Sequence, residues 1–281
     1  MATHPALTAG RVAVVTGAAS GIGLAAARRF AAMGLKICLA DLSPRALEPA
    51  VAEVAAASPG AANAIIAVPT DVSKLDDVNK LCDTVYRAFG EVSVLMNNAG
   101  TAPGGGPWDH IDRWRRVLDV NLWGVINGVR AFVPVLLEQD AGHVVNTASL
   151  AGVTTGILGP YSVTKHGVVA LSEGLHFQLA QRGASVHVSV LCPGWVRTRI
   201  GESDRNRPSD VEPSPALDPN VAEGFRLMLE GGMEPSAVAG HVVDGIRANR
   251  FYLLTHPEMS EGIRRRAEEV LSGGPPGTAF L

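Results

Sequence analysis

Residues Val12-Ala-Val-Val-Thr-Gly-Ala-Ala-Ser-Gly-Ile-Gly23 run from a short apolar, β-branched stretch into a glycine-rich turn, and Leu24–Gly34 (LAAARRFAAMG) continues at helical period. A strand that turns directly into a helix exposes the unpaired N–H groups and the positive dipole end of that helix. An anion such as a pyrophosphate can bind there, provided glycines let the backbone approach it closely. The spacing is GxxxGxG, with Gly17, Gly21 and Gly23 as the glycines, Ser20 in the first interval and Ile22 in the second.

The same rhythm continues along the chain. Short apolar runs at 36–40, 65–68, 92–96, 143–146, 186–191 and 251–254 alternate with longer segments of helical period. Seven nearly continuous apolar strands separated by helices predict an α/β fold: one Rossmann-type doubly wound domain over 1–281, with a seven-stranded parallel sheet buried on both faces. Ser43-Pro44 predicts a capped helix start with proline in the first turn. Ser73 followed by Asp76 predicts a second start, a variant of the capping box. Residues 199–234 break the rhythm with a polar, Pro-rich stretch before the short apolar run 221–230, which predicts a substrate lid. Residues 272–281 (SGGPPGTAFL from Ser272) are expected to form a flexible tail, with Phe280 and Leu281 available to dock on a neighbouring subunit.

Composition narrows the partners. Of 281 residues, 24 are Lys or Arg and 27 are Asp or Glu, a formal charge of −3, and 47% are hydrophobic. That length and apolar content support a folded core. The charge balance supplies no basic footprint for nucleic acid or an anionic membrane. Residues 50–69 are alanine-rich but interrupted by Glu53 and Ser58-Pro-Gly60, so they do not make a membrane span. The first ten residues lack a basic, then apolar leader, which predicts a cytoplasmic protein. Cys38, Cys82 and Cys192 are few and far apart, as expected of buried reduced thiols. The eight histidines form no HxxxH or HExxH pattern, so no metal is expected. Trp108, Trp114 and Trp123 are assigned to packing or subunit contacts, and Arg264–Arg266, flanked by glutamates, to a solvated helix face.

Asp41 ends the second strand eighteen residues beyond Gly23, where a carboxylate meets an adenosine ribose diol. Such a carboxylate repels a 2′-phosphate, and neither Ser20 nor Leu42 offers a cation, so NAD(H) is preferred. Arg45 keeps NADP(H) possible. Asp71-Val72 follows the third strand and Asn98-Ala99-Gly100 the fourth, so both fall at the carboxyl edge of the sheet, where ligands of open α/β folds bind. Ser149 follows the fifth strand, and Tyr161 and Lys165 share a helix face at i and i+4. A phenol with an ordinary pKa near ~10 is a poor base at neutral pH, and a neighbouring ammonium lowers it. Asn121, polar among apolar neighbours in a helix, requires a partner or an ordered water. Trp195 is placed to wall a pocket.

Together TGAASGIG at 16–23, NNAG at 97–100, Asn121, Ser149, Tyr161 with Lys165, and PGWVRT at 193–198 resemble the short-chain dehydrogenase/reductase family over roughly residues 8–255. The resemblance implies that Tyr161 is the general acid/base and that Ser149 orients the reacting oxygen. Lys165 would lower the tyrosine pKa and hold the nicotinamide ribose, and Asn121 would position a water. It further implies that Asp71 and Val72 flank the adenine and that Asn98 to Gly100 line the ribose side. Pro193, Gly194, Val196 and Thr198 would border the nicotinamide, Val196 and Thr198 at its carboxamide. The family's usual assembly is a homotetramer. Segments 202–208, 233–246 and 251–256 are similar to a subgroup that includes bacterial aryl-ether Cα-dehydrogenases. The implied activity is interconversion of a secondary alcohol and a ketone by hydride transfer, with Ser149, Tyr161 and Trp195 facing a small-molecule substrate. The alternatives are an NADP(H)-dependent carbonyl reductase and an NAD(H)-binding sensor without turnover.

Overall fold

The computed structural model describes residues 4–59, 64–102, 106–108, 110–155, 158–206 and 219–277. The strands are β1 (Val12–Thr16), β2 (Lys36–Asp41), β3 (Ile65–Pro69), β4 (Val94–Asn97), β5 (Gly142–Thr147), β6 (Val186–Cys192) and β7 (Tyr252–Leu254). They form one sheet in the order 3-2-1-4-5-6-7, with every neighbouring pair parallel. Every residue of β1, β4 and β5 is buried, as expected of strands covered on both faces. The order reverses between β1 and β4, and the crevice above that switch point is where ligands bind in open α/β sheets.

The helices are α1 (Gly21–Ala32), α2 (Pro44–Ala57), α3 (Leu75–Phe89), α4 (Ile111–Leu118), α5 (Gly124–Glu138), α6 (Gly159–Gln181), α7 (Pro219–Glu230), α8 (Pro235–Arg247) and α9 (Ser260–Ser272). On one face Phe30 of α1 and Val242, Val243 and Ile246 of α8 join a core with Ala13, Val15 and Leu39. On the other, Leu81 of α3, Phe132 and Leu136 of α5 and Leu175 of α6 close over Val14, Leu95 and Val144. The alternation of side chains along each strand sends neighbouring residues to opposite cores.

Three details depart from expectation. Ser43 caps α2 by accepting from Ala46 N–H at 3.2 Å, but Ser73 does not cap α3. Its N–H and hydroxyl both donate to Asp71 Oδ1, at 3.1 and 2.6 Å, and Lys74 occupies the cap. A charged oxygen two residues upstream outcompetes the helix end as its partner. Secondly, among the described residues the helical stretch 111–138, which the sequence reading did not single out, is long and apolar enough to cross a membrane. It is a layer helix whose Asn121 and Asn127 are buried and hydrogen-bonded inside the fold. It is also not a continuous α-helix, because residues Asp119–Trp123 form a π-turn between α4 and α5. Thirdly, Ser272 belongs to α9, which Gly273 ends in the left-handed conformation at φ +69. The Pro-rich part of the expected lid, 207–218, and residues 278–281 with Phe280 and Leu281 lie outside the described residues.

At the opposite edge of the sheet His143 of β5 is fully buried. Ser189 donates its hydroxyl to Arg250 O at 2.6 Å, so His143 Nε2 donates to Ser189 Oγ at 2.8 Å and Nδ1 is left without a partner. Burial first, then His4 and His187, push its pKa down to about 3. The unfolded chain binds this proton near pH ~6.5 while the fold refuses it, so stability falls as pH drops from about 6.5 towards 3, by up to ~1.4 kcal/mol per pH unit. Melting temperatures of wild type and His143→Gln across that range should diverge, with the shallower acid decline in the variant. Parallel curves would contradict the assignment.

Candidate active site

The dinucleotide end is built by glycines that remove side chains from crossing backbones. Gly17 lies at φ +63, and a Cβ on it would come within 2.7 Å of Ala99 Cα. A Cβ on Gly23 would sit 2.3 Å from Gly17 O. Asn98 Nδ2 donates to Thr16 O at 3.0 Å, and the N–H groups of Asn98 and Ala99 both donate to Thr16 Oγ1, at 2.9 and 3.1 Å. The loop after β4 is thereby fastened to the turn after β1. Ser20 stands at the N-cap of α1 and makes no side-chain capping bond, so the first-turn amides face the cleft, as an anion site requires. Asp41 Oδ2 accepts from Ala19 N–H at 3.0 Å, which steadies the carboxylate at the rim of the same turn.

Asp71 is held in place by Ser73 and by Lys74, whose Nζ lies 3.2 Å from Asp71 Oδ2. Asn127 Nδ2 donates to Val72 O at 2.9 Å. Neither Asn127 nor this bond was expected; a second buried asparagine in the helix that carries Asn121 was the available signal. Asp71 and Val72, just beyond β3, are therefore fixed from both sides.

At the chemical end Ser149 follows β5, where its Oγ accepts from Ala151 N–H at 3.1 Å and donates to Pro193 O at 3.3 Å. Tyr161 stands in the first turn of α6 and lines the same cavity as Ser149. Lys165, one turn on and 3% exposed, donates to Thr147 O at 2.9 Å, with Nζ 5.5 Å from the Tyr161 ring centre. Burial pushes the Tyr161 phenol up, and Ser149 draws it back. Burial lowers Lys165 to about 8. The expected depression of the phenol by Lys165 is therefore not what dominates here: the ammonium is itself half-titrated near pH 8, and desolvation is the larger effect on the phenol.

Asn121 sits in the π-turn and is fully buried. Its side chain accepts from Thr101 N–H and donates to Thr101 O, both at 2.8 Å, and reaches Thr164 Oγ1 at 3.4 Å. The side-chain amide is thus engaged in pinning the loop after β4, rather than presented to a water in the cleft.

Beyond β6, Pro193–Thr198 forms the far wall. The Trp195 ring meets Phe225 of α7 edge-on at 5.3 Å, and Val196 pairs with Met233 in an isolated parallel bridge. The residues after Thr198 form a 3-10 segment, Arg199–Asn206. It is latched to α4 by Arg116, which pairs with Asp204 at 2.9 Å and donates to Ser203 O at 2.8 Å. Arg116 and Met259 were not expected at the site, whereas Ser203, Phe225 and Met228 fall within the stretch 199–234 expected to form the substrate lid.

One cavity of about 1400 Å³ joins these parts. Gly17, Ser20, Gly21, Ile22, Asp41, Leu42, Asp71, Val72 and Asn98 to Gly100 line its dinucleotide half, with Arg45 beside Asp41. Ser149, Tyr161, Lys165, Pro193, Gly194, Trp195, Val196 and Thr198 line the other. Gly23 and Asn121 stand behind the wall. Among the described residues no group of three or more His, Cys, Asp or Glu side chains is placed to hold a metal ion.

Comparison with known proteins agrees with this architecture. A family model described as short chain dehydrogenase matches residues 11–209. The chain is 36% identical over 265 residues to 1-deoxy-11-beta-hydroxypentalenate dehydrogenase of Streptomyces exfoliatus, covering 92% of this chain and 88% of that relative. It is 30% identical over 271 residues to a C alpha-dehydrogenase of Sphingobium sp., covering 95% and 87%. A solved short chain dehydrogenase/reductase from Burkholderia phymatum in complex with NAD matches with a TM-score of 0.91 at 38% identity, over 97% of this chain and 98% of that one. The glycine cradle, the uncapped α1 terminus and the Asp41 carboxylate at the rim of the same turn fit a nicotinamide dinucleotide. With a family model over residues 11–209 and relatives that align along almost the whole chain, this protein belongs to the short-chain dehydrogenase family of oxidoreductases.

Proposed function

We propose that the protein interconverts a secondary alcohol and a ketone with NAD(H), Tyr161 serving as general acid/base. The observation that carries this reading is the convergence of Ser149, Tyr161 and Lys165 on the wall of the cavity that also holds the glycine-rich turn and Asp41. The α1 terminus would hold the diphosphate, Asp41 the adenosine ribose, Asp71 and Val72 the adenine, and Val196 and Thr198 the carboxamide. When bound, the nicotinamide supplies the hydride-accepting and hydride-donating carbon.

In the oxidative direction the Tyr161 phenolate takes the hydroxyl proton, and Ser149 donates a hydrogen bond to the same oxygen. A phenolate in so dry a position requires a cation, and Lys165 Nζ is the one at hand. Thr147 O takes one of its three donors and leaves others for the ribose side. Trp195, Ile200, Phe225, Met228 and Leu229 give the substrate end an apolar lining, which favours a bulky, uncharged alcohol.

Arg45, on the cavity wall beside Asp41, favours NADP(H) as the second reading. The two are separated by following reduced cofactor at 340 nm with NAD and with NADP over a panel of benzylic, steroidal and aliphatic secondary alcohols. NAD is the expected cofactor. Asp41→Ala should lower kcat/KM for NAD by about tenfold, the loss of a charged hydrogen bond, and raise that for NADP; an unchanged ratio would overturn the role given to Asp41. Homotetramer assembly and a cytoplasmic location belong to the same reading, and Trp123, Val163 and Phe177 are exposed apolar groups that such an assembly would cover.

A further inference from the structure

His256 lies just beyond β7, buried under the Pro193–Trp195 turn, and the hydride-transfer chemistry gives it nothing to do. Gly194 N–H can only donate, and it donates to His256 Nδ1 at 3.1 Å. The ring proton therefore sits on Nε2, which donates to Trp195 O at 3.1 Å. Thr255 Oγ1 lies 2.7 Å from the same Nδ1 and steadies the ring from the side. Both imidazole nitrogens are thus engaged by consecutive residues of one turn.

The approach is close. A Cβ on Gly194 would come within 2.9 Å of His256 Cγ and of Met259 Sδ, so glycine there lets the turn settle on the ring. Trp195 O accepts a second bond, from Met233 N–H at 2.9 Å, and Arg197 N–H donates back to Met233 O at 2.9 Å. Through this one carbonyl the end of β6, the end of β7 and the base of the α7 segment are joined. The Trp195 side chain then reaches into the cavity and meets Phe225.

Resting on the reading of this cavity end as the substrate's, we infer that His256 is a positioning residue for substrate specificity: it fixes the Gly194–Trp195 backbone and so the place of the Trp195 ring. The substrate it serves is a bulky alcohol large enough to touch Trp195 and Phe225. A histidine that merely filled the core would affect all parts of the protein alike.

The test uses full-length protein carrying 5-fluorotryptophan at its four tryptophans, with the Trp195 fluorine line assigned by Trp195→Phe. His256→Leu should move the Trp195 line and leave the other three in place. His256→Asn keeps an acceptor for Gly194 and should keep the line near its wild-type position. In parallel, His256→Leu should raise KM for a bulky alcohol roughly tenfold, the scale of a misplaced contact, with NADH affinity within about threefold, less than one hydrogen bond. If His256→Leu does not fold, Gly194→Ala pushes the turn off the ring and should move the same line. A Trp195 line unmoved by these changes, or four lines moving together, would overturn the inference. If the wild type oxidises no alcohol, the hydride-transfer reading fails, while the fluorine spectra still decide the role of His256.

Discussion

Tyr161→Phe is expected to lower alcohol oxidation by about 10³-fold or more, the range of lost general acid–base catalysis, while NADH binding stays within a few-fold of wild type. The substitution removes one hydroxyl from the first turn of α6 and leaves the ring that Lys165 Nζ faces. Ser149 keeps its contacts with Ala151 N–H and Pro193 O, so the oxygen-facing side of the pocket retains its shape. Removing a phenol that burial holds protonated also deletes no charge from the resting fold, and the melting temperature should move little. Stopped turnover with intact NADH fluorescence enhancement is the signature; turnover within tenfold of wild type would remove Tyr161 from the proton-transfer role.

Gly23→Ala is expected to abolish measurable dinucleotide binding and to lower stability by about 2–3 kcal/mol, the range of an overpacked core site. The added methyl would lie 2.3 Å from Gly17 O and 2.6 Å from Asn98 Nδ2. Both neighbours are committed: Gly17 to the turn itself, and Asn98 to Thr16 O at 3.0 Å. Neither can yield without lifting α1 off the loop after β4, and that lift misaligns the amides proposed to hold the diphosphate. Titration with NADH and thermal melting check the two halves of this result. Unaltered affinity would show that the turn tolerates a wider spacing than these contacts imply.

Much of the fold is legible in the chain because burial on both faces makes each strand a run of apolar, often β-branched residues with little ambiguity of period. Gly17 and Gly23 likewise announce a backbone crossing, since no other residue fits there. What escaped the sequence depends on competition or on distance. Ser73 has the chemistry of a cap, yet Asp71 takes both of its donors. Nothing in Asp-Val-Asn-Leu-Trp at 119–123 marks a π-turn, which exists because Asn121 is drawn to the main chain of Thr101. Arg116, Ser203 and Asp204 meet across some 88 positions of sequence, and Trp195 meets Phe225 only once α7 has folded over. The balance between Tyr161 and Lys165 is likewise a matter of burial, which spacing at i and i+4 does not report.

The central claim is that this cavity moves a hydride between the carbinol carbon of a secondary alcohol and a nicotinamide. It is tested most directly by supplying NAD and secondary alcohols deuterated at the carbinol carbon, then measuring the label in the reduced cofactor by mass spectrometry. The account predicts one deuterium per reduced nicotinamide, formed by wild type and not by Tyr161→Phe. Reduced cofactor without the label, or none formed from any alcohol and none consumed with the matching ketones, would contradict it.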